Sequence, residues 1–276
     1  MMSPLSRGLT FGLSLYYFVL GAVLFLLPTS MSGVFAWKVS SFVTMTIGGW
    51  CLGNAWLALV TGWRWRWSQV YASLVYLWTF GFLQSAVALI FYNKLRLEHP
   101  ISWLYLGTLA FSLLAAVIGI VELLRLKPVL EPLGKPANLV SRLINLFFVI
   151  FVGFLGIYGL IAGEGWPATN AGVFPELLSL FTLHSFGAFY LSLAVGALVL
   201  LWNRHLAASL HYAFSAFGLV LMITLAALWN IELFDFANRP GGLVYIGIYL
   251  VVGLVSMLYF IFFGTGGLSA EKAEVN

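Results

Sequence analysis

The sequence predicts an all-α integral membrane protein with eight transmembrane helices, built as two parallel four-helix repeats. The composition, eight long apolar runs and a motif that recurs 139 residues later predict this class. Of the 276 residues, 62% are hydrophobic and 8% are charged, and the mean hydropathy is +1.01. Soluble domains carry about 25% charged residues, so this chain has too few charges to cover a water-facing surface. We therefore expect the lipid bilayer to surround it.

Eight apolar runs are long enough to cross the hydrocarbon core, which takes about 20 helical residues. Only helices and closed barrels satisfy their backbone in lipid, and runs without period-2 alternation favour helices. Because the first and fifth runs precede similar motifs, we expect the first to be a retained helix rather than a cleaved signal peptide. The predicted spans are 9–27, 40–61, 69–91, 101–124, 143–162, 178–201, 208–229 and 241–263.

The repeat is carried by pairs of similar segments at a nearly constant offset. PTSMSGVF (28–35) resembles PATNAGVF (167–174), and FVTMTIGGWCL (42–52) aligns without gaps on FTLHSFGAFYL (181–191). Each copy of the shorter motif is predicted to be a turn outside the membrane, because Pro and small residues interrupt helices. An even number of helices per unit would give both units the same orientation in the membrane.

This alignment divides the chain at a Pro-rich stretch. The predicted segments are a first four-helix unit (1–124), a cytoplasmic linker (125–142), a second four-helix unit (143–264) and a polar C-terminal tail (265–276).

The distribution of Lys and Arg predicts the orientation, because short cytoplasmic loops are enriched in these residues. One side would carry nine and the other four, which predicts a multi-pass cell-membrane protein with both termini cytoplasmic. The nine are Arg7, Arg64, Arg66, Arg125, Lys127, Lys135, Arg142, Arg204 and Lys272; the four are Lys38, Lys94, Arg96 and Arg239.

Small residues four apart predict a close helix–helix contact in lipid. The second predicted helix carries Gly49 and Gly53, and the sixth carries Ala188, Ser192 and Gly196. We interpret these five residues as helix-packing positions.

Four polar residues deep in predicted spans are the candidate ligand-binding residues. They are His184, Ser185, Asn54 and Gln84. Polar side chains within a membrane are often functional, but hydrogen bonds between helices also account for them. For His184, we favour a hydrogen bond to a neighbouring helix over a ligand.

Two groups of residues are predicted to lie at the membrane boundary. Glu122 and Arg125 are three residues apart near a helix end, so we expect them to pair. The residues Trp63, Arg64, Trp65, Arg66 and Trp67 are predicted interface anchors. The alternative for these five residues is a binding platform for an anionic lipid or a flat cofactor.

Signatures of several chemistries are missing from the sequence. It contains no GxxxxGK[ST], CxxC, HExxH or GxSxG motif, and its basic residues are scattered rather than clustered. We predict no catalytic residues, no metal site and no nucleic-acid partner, and the sequence identifies no cofactor.

The order of elements in each half carries a resemblance to a known family. A helix is followed by a Pro-led outer turn, a Gly-containing second helix such as IGGWCLGNAW (47–56), and two further helices. This arrangement resembles the small four-helix membrane proteins of the DoxX-like kind, present here as a tandem duplication. The resemblance implies a four-helix fold for each half; where a basic or polar residue is expected, this chain has Met45 and His184.

Three functional hypotheses remain open. The first is a non-enzymatic accessory or scaffold subunit of a membrane complex that holds lipophilic molecules, with the bilayer and other subunits as partners. The second is a carrier for a small neutral or amphiphilic solute, with a path between the two units. The third is a membrane redox component or enzyme centred on His184.

Overall fold

The computed structural model describes residues 2–131, 133, 135–163, 175–202, 205–238 and 240–273. Within these residues the fold is all-helical, and seven helices are long and apolar enough to cross a membrane. Their length and composition indicate a membrane-embedded protein. The helices are α1 (Pro4–Leu26), α2 (Pro28–Ser32), α3 (Ser41–Trp63), α4 (Trp67–Ile90), α5 (Pro100–Leu126), α6 (Leu139–Leu160), α7 (Leu180–Trp202), α8 (Leu206–Trp229) and α9 (Gly241–Ala273).

The first seven predicted spans coincide with α1 and α3 to α8, within a few residues at most ends. The largest difference is at α1, which begins five residues before the predicted span, at Pro4 instead of residue 9. The eighth predicted span, 241–263, falls within α9. That eighth span stays a prediction. α9 also continues through most of the segment predicted as a polar tail.

The early start of α1 has a polar cause. Ser3 is the N-cap residue, and its hydroxyl accepts a hydrogen bond from the Ser6 N–H. The Glu122 carboxylate, near the end of α5, accepts hydrogen bonds from the Ser3 N–H at 3.1 Å and the Ser6 hydroxyl at 2.7 Å. It also accepts one from the Ser3 hydroxyl. A carboxylate at a helix N-terminus satisfies free N–H groups and interacts favourably with the helix dipole.

The predicted pairing of Glu122 with Arg125 is wrong. No ion pair joins these two described side chains, and the Glu122 carboxylate binds the first turn of α1 instead. The three-residue spacing allowed the pair, but the unsatisfied N–H groups of α1 offer the carboxylate several donors at once.

Four helices form the centre of the protein, two from each half of the chain. Between the halves, α3 packs mainly against α8, and α4 packs mainly against α7. The other long helices cover this centre: α1 packs on α3, α6 on α7, α5 on α4 and α9 on α8. α1 also contacts α5. The two halves therefore contact each other through their second and third long helices.

Glycine allows the closest of these contacts. A Cβ atom added at Gly53 would lie 2.5 Å from the Leu219 Cα of α8, and one at Gly49 would lie 3.0 Å from the Met222 carbonyl oxygen. A Cβ at Gly196 on α7 would lie 2.8 Å from the Tyr76 Cβ of α4. Gly49, Gly53 and Gly196 thus lie at contacts between the halves, whereas Ala188 and Ser192 are buried on α7.

The loop between α1 and α3 contributes to the core instead of only turning outside it. Pro28 begins the short helix α2, and Phe35 and Trp37 beyond it are buried. The Trp37 ring stacks on Phe181 of α7 at 4.2 Å, and its Nε1–H donates to the Thr182 hydroxyl at 3.0 Å. The second copy of the motif, 167–174, lies outside the described residues.

The linker after α5 is held against the central helices. The Glu131 N–H donates to the Ser68 hydroxyl of α4 at 2.7 Å. The Leu206 N–H, at the start of α8, donates to the Lys135 carbonyl oxygen at 3.1 Å. The linker therefore contacts the beginnings of both α4 and α8, at the end of the molecule that carries the turn between α3 and α4.

Gly53→Leu is expected to lower the melting temperature in detergent, because its side chain would overlap the α8 backbone. Overpacking a well-packed site costs about 1–3 kcal/mol. Gly107→Leu is the matched control, since nothing lies within 4 Å of a Cβ at Gly107. Equal melting temperatures for Gly53→Leu and the wild type would contradict the close α3–α8 contact.

Candidate functional site

Two of the predicted ligand-binding residues form a buried hydrogen bond between the halves. The Gln84 side-chain amide on α4 donates to the Ser185 hydroxyl on α7 at 2.9 Å and to the Tyr105 hydroxyl on α5 at 3.1 Å. Gln84 and Ser185 are both buried. A buried amide with two acceptors fixes the relative positions of three helices, so this contact has a structural role.

Asn54 lies in a separate polar contact. Its side-chain oxygen accepts a hydrogen bond from the Tyr76 hydroxyl at 2.7 Å, which links α3 to α4. Within the described residues, the Asn54 amide nitrogen has no hydrogen-bond partner. The Ser73 and Ser215 hydroxyls, 3.0 Å apart, similarly join α4 to α8. Polar links thus hold the helices of the centre together at several positions.

His184 lies apart from these contacts, slightly more than one turn from the start of α7. Its Nε2 is 3.0 Å from the Ala162 carbonyl oxygen, just after α6, and its ring contacts Phe91 edge-on. A carbonyl oxygen can only accept, so Nε2 carries the proton in this contact and Nδ1 does not when the ring is neutral. His184 therefore connects α7 to the end of α6.

The four predicted residues do not form one pocket. Gln84 lines a cavity of about 20 Å³ that also contacts Tyr17, Trp50 and Cys51. A space of this size suits a single water molecule, which needs about 10–15 Å³ by this measure. These residues are therefore poorly placed to hold a larger ligand together.

A much larger cavity lies elsewhere, in the second half of the protein. It has a volume of about 570 Å³ and is enclosed by α6, α7, α8 and α9. We call it the α6–α9 cleft. Its volume lies in the range of about 300–1,000 Å³ that is typical of small-molecule sites. The cleft was not predicted from the sequence, because its Val, Leu, Ile and Phe side chains resemble lipid-facing ones.

The cleft exists because α6 and α9 do not close on each other. Within the described residues these two helices make at most marginal contact, whereas α1 and α5 pack together. The α1–α5 contact uses Gly12, over which the Phe111 ring lies, with the Tyr16 ring stacked on Phe111 at 4.8 Å. The Tyr17 and Ser112 hydroxyls are 2.9 Å apart in the same contact.

The described lining of the cleft is apolar, with a few hydroxyl and amide groups. The Tyr190 and Tyr249 hydroxyls lie 2.6 Å apart and join α7 to α9. Nearer the start of α6, the Asn145 amide donates to the Ser209 hydroxyl at 3.2 Å. Among the described residues that line the cleft there is no Asp, Glu, Lys or Arg. An uncharged molecule with a long apolar part matches this surface, because a charged ligand would lose its solvation without a counter-charge.

The predicted anchor residues occupy the turn between α3 and α4. Trp63 and Arg66 are exposed, and Trp65 donates its Nε1–H to the Met2 carbonyl oxygen at 3.3 Å. Trp67 packs near Tyr71, with ring centroids 6.0 Å apart. Arg64, between the two exposed residues, ends α3 as its C-cap residue.

At the opposite end of the molecule, acidic and histidine side chains are separated into small groups. The Glu98 Oε1 atom lies 3.4 Å from the Arg96 Nε and 3.7 Å from the His99 Nε2. Glu176 accepts a hydrogen bond from the Ser40 hydroxyl, the N-cap of α3. In the part of the chain that the structure describes, no three His, Cys, Asp or Glu residues group as metal ligands.

Comparison of the chain with known protein families, curated proteins and solved structures finds no match.

A pH-dependent stability is expected from Glu176. Burial raises the pKa of its carboxyl above the ordinary 4.5, and the Ser40 hydrogen bond offsets part of this effect. The folded protein thus binds this proton more tightly than the unfolded chain. The stabilisation is present below about pH 4.5 and is lost as the pH rises through the raised pKa of the folded state. Glu176→Gln, which resembles the protonated form, should melt like the wild type at low pH and at a higher temperature at neutral pH.

Glu98→Gln is the control for this pH series. Hydrogen bonds from its own backbone N–H and from Arg96, together with nearby His99, lower the pKa of the Glu98 carboxyl. Its removal should therefore not raise the melting temperature at neutral pH. If Glu176→Gln melted at the same temperature as the wild type at neutral pH as well as at acidic pH, this result would contradict the burial of the carboxyl.

His184→Gln is expected to keep most of the stability, because its amide can still donate to the Ala162 carbonyl oxygen. His184→Leu should lose about 1 kcal/mol, the usual scale of a hydrogen bond between membrane helices. Chemical unfolding in detergent measures both values. If His184→Gln instead melted normally but lost a metal or chromophore that the wild type carries, the structural role would be wrong.

Proposed function

We propose that this protein is a non-enzymatic, membrane-embedded accessory or scaffold subunit that holds a lipophilic molecule in the α6–α9 cleft. The observation that carries this proposal is the cleft itself, a cavity of about 570 Å³ with an apolar lining. Ligand sites in proteins are typically concave and apolar with a few placed polar groups, and this cleft has those features.

The polar groups of the cleft narrow the class of occupant. The Tyr190–Tyr249 pair offers hydroxyl groups at one level, and the Asn145–Ser209 pair offers an amide and a hydroxyl at another. An occupant with a long apolar body and one uncharged hydrogen-bonding end would use either pair. Membrane lipids without net charge and isoprenoid-like molecules belong to this chemical class.

The other two hypotheses have less support. A carrier path between the two units would need an opening there, but the halves meet through close glycine contacts and buried polar pairs. A redox or catalytic role for His184 would need its ring to reach a ligand. Its Nε2 already contacts the Ala162 carbonyl oxygen. Holding a molecule in the cleft requires neither a path nor a free imidazole.

We propose the finer architecture together with this function: eight spans in the cell membrane, in two parallel DoxX-like units, with both termini cytoplasmic. The helix contacts support the repeat, because contacts of the first unit have counterparts in the second. Within the units, the α1–α3 contact corresponds to α6–α7, and the α4–α5 contact corresponds to α8–α9. Between the units, the α3–α8 contact corresponds to the α7–α4 contact. Gly48 packs against α1 and Gly187, 139 positions later, packs against α6. Trp63 and Trp202 are both exposed at the ends of their helices.

The proposed repeat also accounts for the cleft. At an offset of 139 residues, Gly12 of α1 corresponds to Phe151 of α6. With the one-residue insertion, Phe111 of α5 corresponds to Val251 of α9. A small residue facing a large ring closes the first pair of helices, whereas Phe151 and Val251 both line the cleft. This substitution of a bulky residue for glycine supports a cleft kept open in the second unit alone.

Ala213→Phe tests the function, because its ring would fill the cleft from α8. Native mass spectrometry of the wild type in mild detergent should detect a bound uncharged lipophilic molecule, and Ala213→Phe should lose most of it. Val117→Phe is the matched control, since Val117 is exposed on the lipid-facing side of α5. Both variants should melt close to the wild type.

Two results would contradict the proposal. In the first, wild-type protein purified in mild detergent carries no lipophilic molecule and gains none from added membrane extract. In the second, Ala213→Phe and Val117→Phe retain equal amounts of the bound molecule.

A further inference from the structure

A second cavity, separate from the α6–α9 cleft, lies at the turn between α3 and α4. It has a volume of about 450 Å³ and is lined by Arg7, Trp63, Arg64, Trp65, Arg66 and Gln69. We call it the Trp–Arg cavity. Its three guanidinium groups come from two places in the chain, the first turn of α1 and the turn that connects α3 to α4. No acidic residue is among the described residues that line it.

Local structure brings two of these arginines together. α3 ends at Trp63 and α4 begins at Trp67, so Arg64 and Arg66 lie in a connection of only three residues. The Arg64 N–H donates to the Val60 carbonyl oxygen at 3.1 Å as the C-cap of α3, which fixes its backbone. A turn this short keeps the two guanidinium groups on the same end of the molecule.

The third arginine is held in place by α3 and by its own helix. The Arg7 Nε–H donates to the Gly62 carbonyl oxygen at 2.9 Å, near the C-terminus of α3. The Arg7 guanidinium also lies 5.7 Å from the Phe11 ring centroid, within cation–π distance. Arginine has five N–H donors, so this arrangement positions the side chain and leaves its two terminal amino groups for another acceptor.

Other features of the cavity favour an anion. The cavity adjoins the N-terminus of α4, whose N–H groups and dipole favour an anion, and the C-terminus of α3, whose dipole opposes it, so the net positive charge comes from the guanidinium groups. No described side chain caps this N-terminus. Two acidic residues contact neighbouring segments: the Glu122 carboxylate binds Ser3 and Ser6 in the first turn of α1, and the Glu131 backbone N–H binds Ser68. Neither residue lines the cavity.

Arginine binds both carboxylates and phosphates, and the position of the cavity favours phosphate between them. Arginine binds phosphate oxygens with paired, charge-assisted hydrogen bonds. The cavity lies at the ends of two membrane-spanning helices, and Trp63 beside it is three-quarters exposed. Tryptophan in this position is typical of the headgroup level of a bilayer. A phosphate at that depth belongs to a lipid headgroup rather than to a free solute.

We infer that the Trp–Arg cavity binds the phosphate of an anionic phospholipid headgroup through Arg7, Arg64 and Arg66. This site is independent of the uncharged occupant proposed for the α6–α9 cleft. It would select a lipid by charge, whereas the cleft would select by apolar shape. It develops the anionic-lipid alternative that stood open for residues 63–67 and adds Arg7 of α1 to the site.

The test uses full-length protein in nanodiscs of phosphatidylcholine with a minority of phosphatidylglycerol. After gentle release, native mass spectrometry measures how strongly the protein retains the anionic lipid relative to the zwitterionic one. The wild type should retain phosphatidylglycerol preferentially. A basic residue near an anionic lipid contributes about a fivefold preference, so Arg64→Gln with Arg66→Gln should reduce the preference about 25-fold.

Matched variants separate the cavity from total charge. Arg125→Gln removes an exposed arginine from the end of α5, outside the cavity, and should leave the preference unchanged. Arg64→Lys with Arg66→Lys keeps both charges without the paired donors and should restore part of the preference. Should the double glutamine variant melt at a lower temperature, Arg66→Gln alone, at an exposed position, should still lose about fivefold.

Three results would overturn the inference. One is an equal retention of the two lipids by the wild type, and another is a loss for Arg125→Gln as large as that for Arg64→Gln with Arg66→Gln. The third is complete displacement of phosphatidylglycerol by inorganic phosphate, which would identify free phosphate as the ligand. Ala213→Phe should retain phosphatidylglycerol as the wild type does. The measurement at the Trp–Arg cavity therefore keeps its meaning even if the α6–α9 cleft binds no lipophilic molecule.

Discussion

The structure depends on the close approach of helix backbones between the two halves of the chain. Lipid tails are as apolar as leucine, so helices gain little from burying apolar surface against one another in a bilayer. Contact area and hydrogen bonds must hold them together. Gly53 lets α3 lie directly on the α8 backbone, and Gly196 lets α7 lie on α4. Without these approaches, the four central helices would separate by the width of a side chain.

The polar contacts follow from this close packing. Gln84 reaches Ser185, Ser73 reaches Ser215, and Trp37 reaches Thr182, each from one half of the chain to the other. Such bonds contribute about 1 kcal/mol or less each in membranes, so their value lies in fixing which helices pair. The polar residues deep in the spans are thereby accounted for as links between helices, within one half for Asn54 and His184 and between the halves for Gln84. Candidate binding sites then lie outside the centre, at the α6–α9 cleft and at the Trp–Arg cavity.

Sequence patterns predicted the helices well because an apolar run long enough to cross a bilayer has few other options. They predicted the ends less well, since hydropathy does not register a polar first turn such as that of α1. The hydrogen bonds from Ser3 and Ser6 to Glu122 join residues more than 100 positions apart, and no local spacing indicates them. The pairing expected from local spacing, Glu122 with Arg125, was accordingly wrong.

The candidate sites were less predictable than the helices. A polar side chain in a span looks the same in sequence whether it binds a ligand or a neighbouring helix, and Gln84 with Ser185 forms the second kind of contact. The α6–α9 cleft arises where two helices fail to meet, which a single span does not encode. Under the proposed repeat, the comparison of Gly12 with Phe151 is the feature of the sequence that relates to it.

Dividing the chain within the linker, between Lys127 and Asn138, tests the interlocking of the halves most directly. When both pieces are produced together with an affinity tag on one, they should purify as a single complex that melts in one transition. Each piece produced alone should be unstable in detergent, because the glycine faces of α3 and α7 would lack their partners. Two pieces that each fold alone and do not associate would contradict the account.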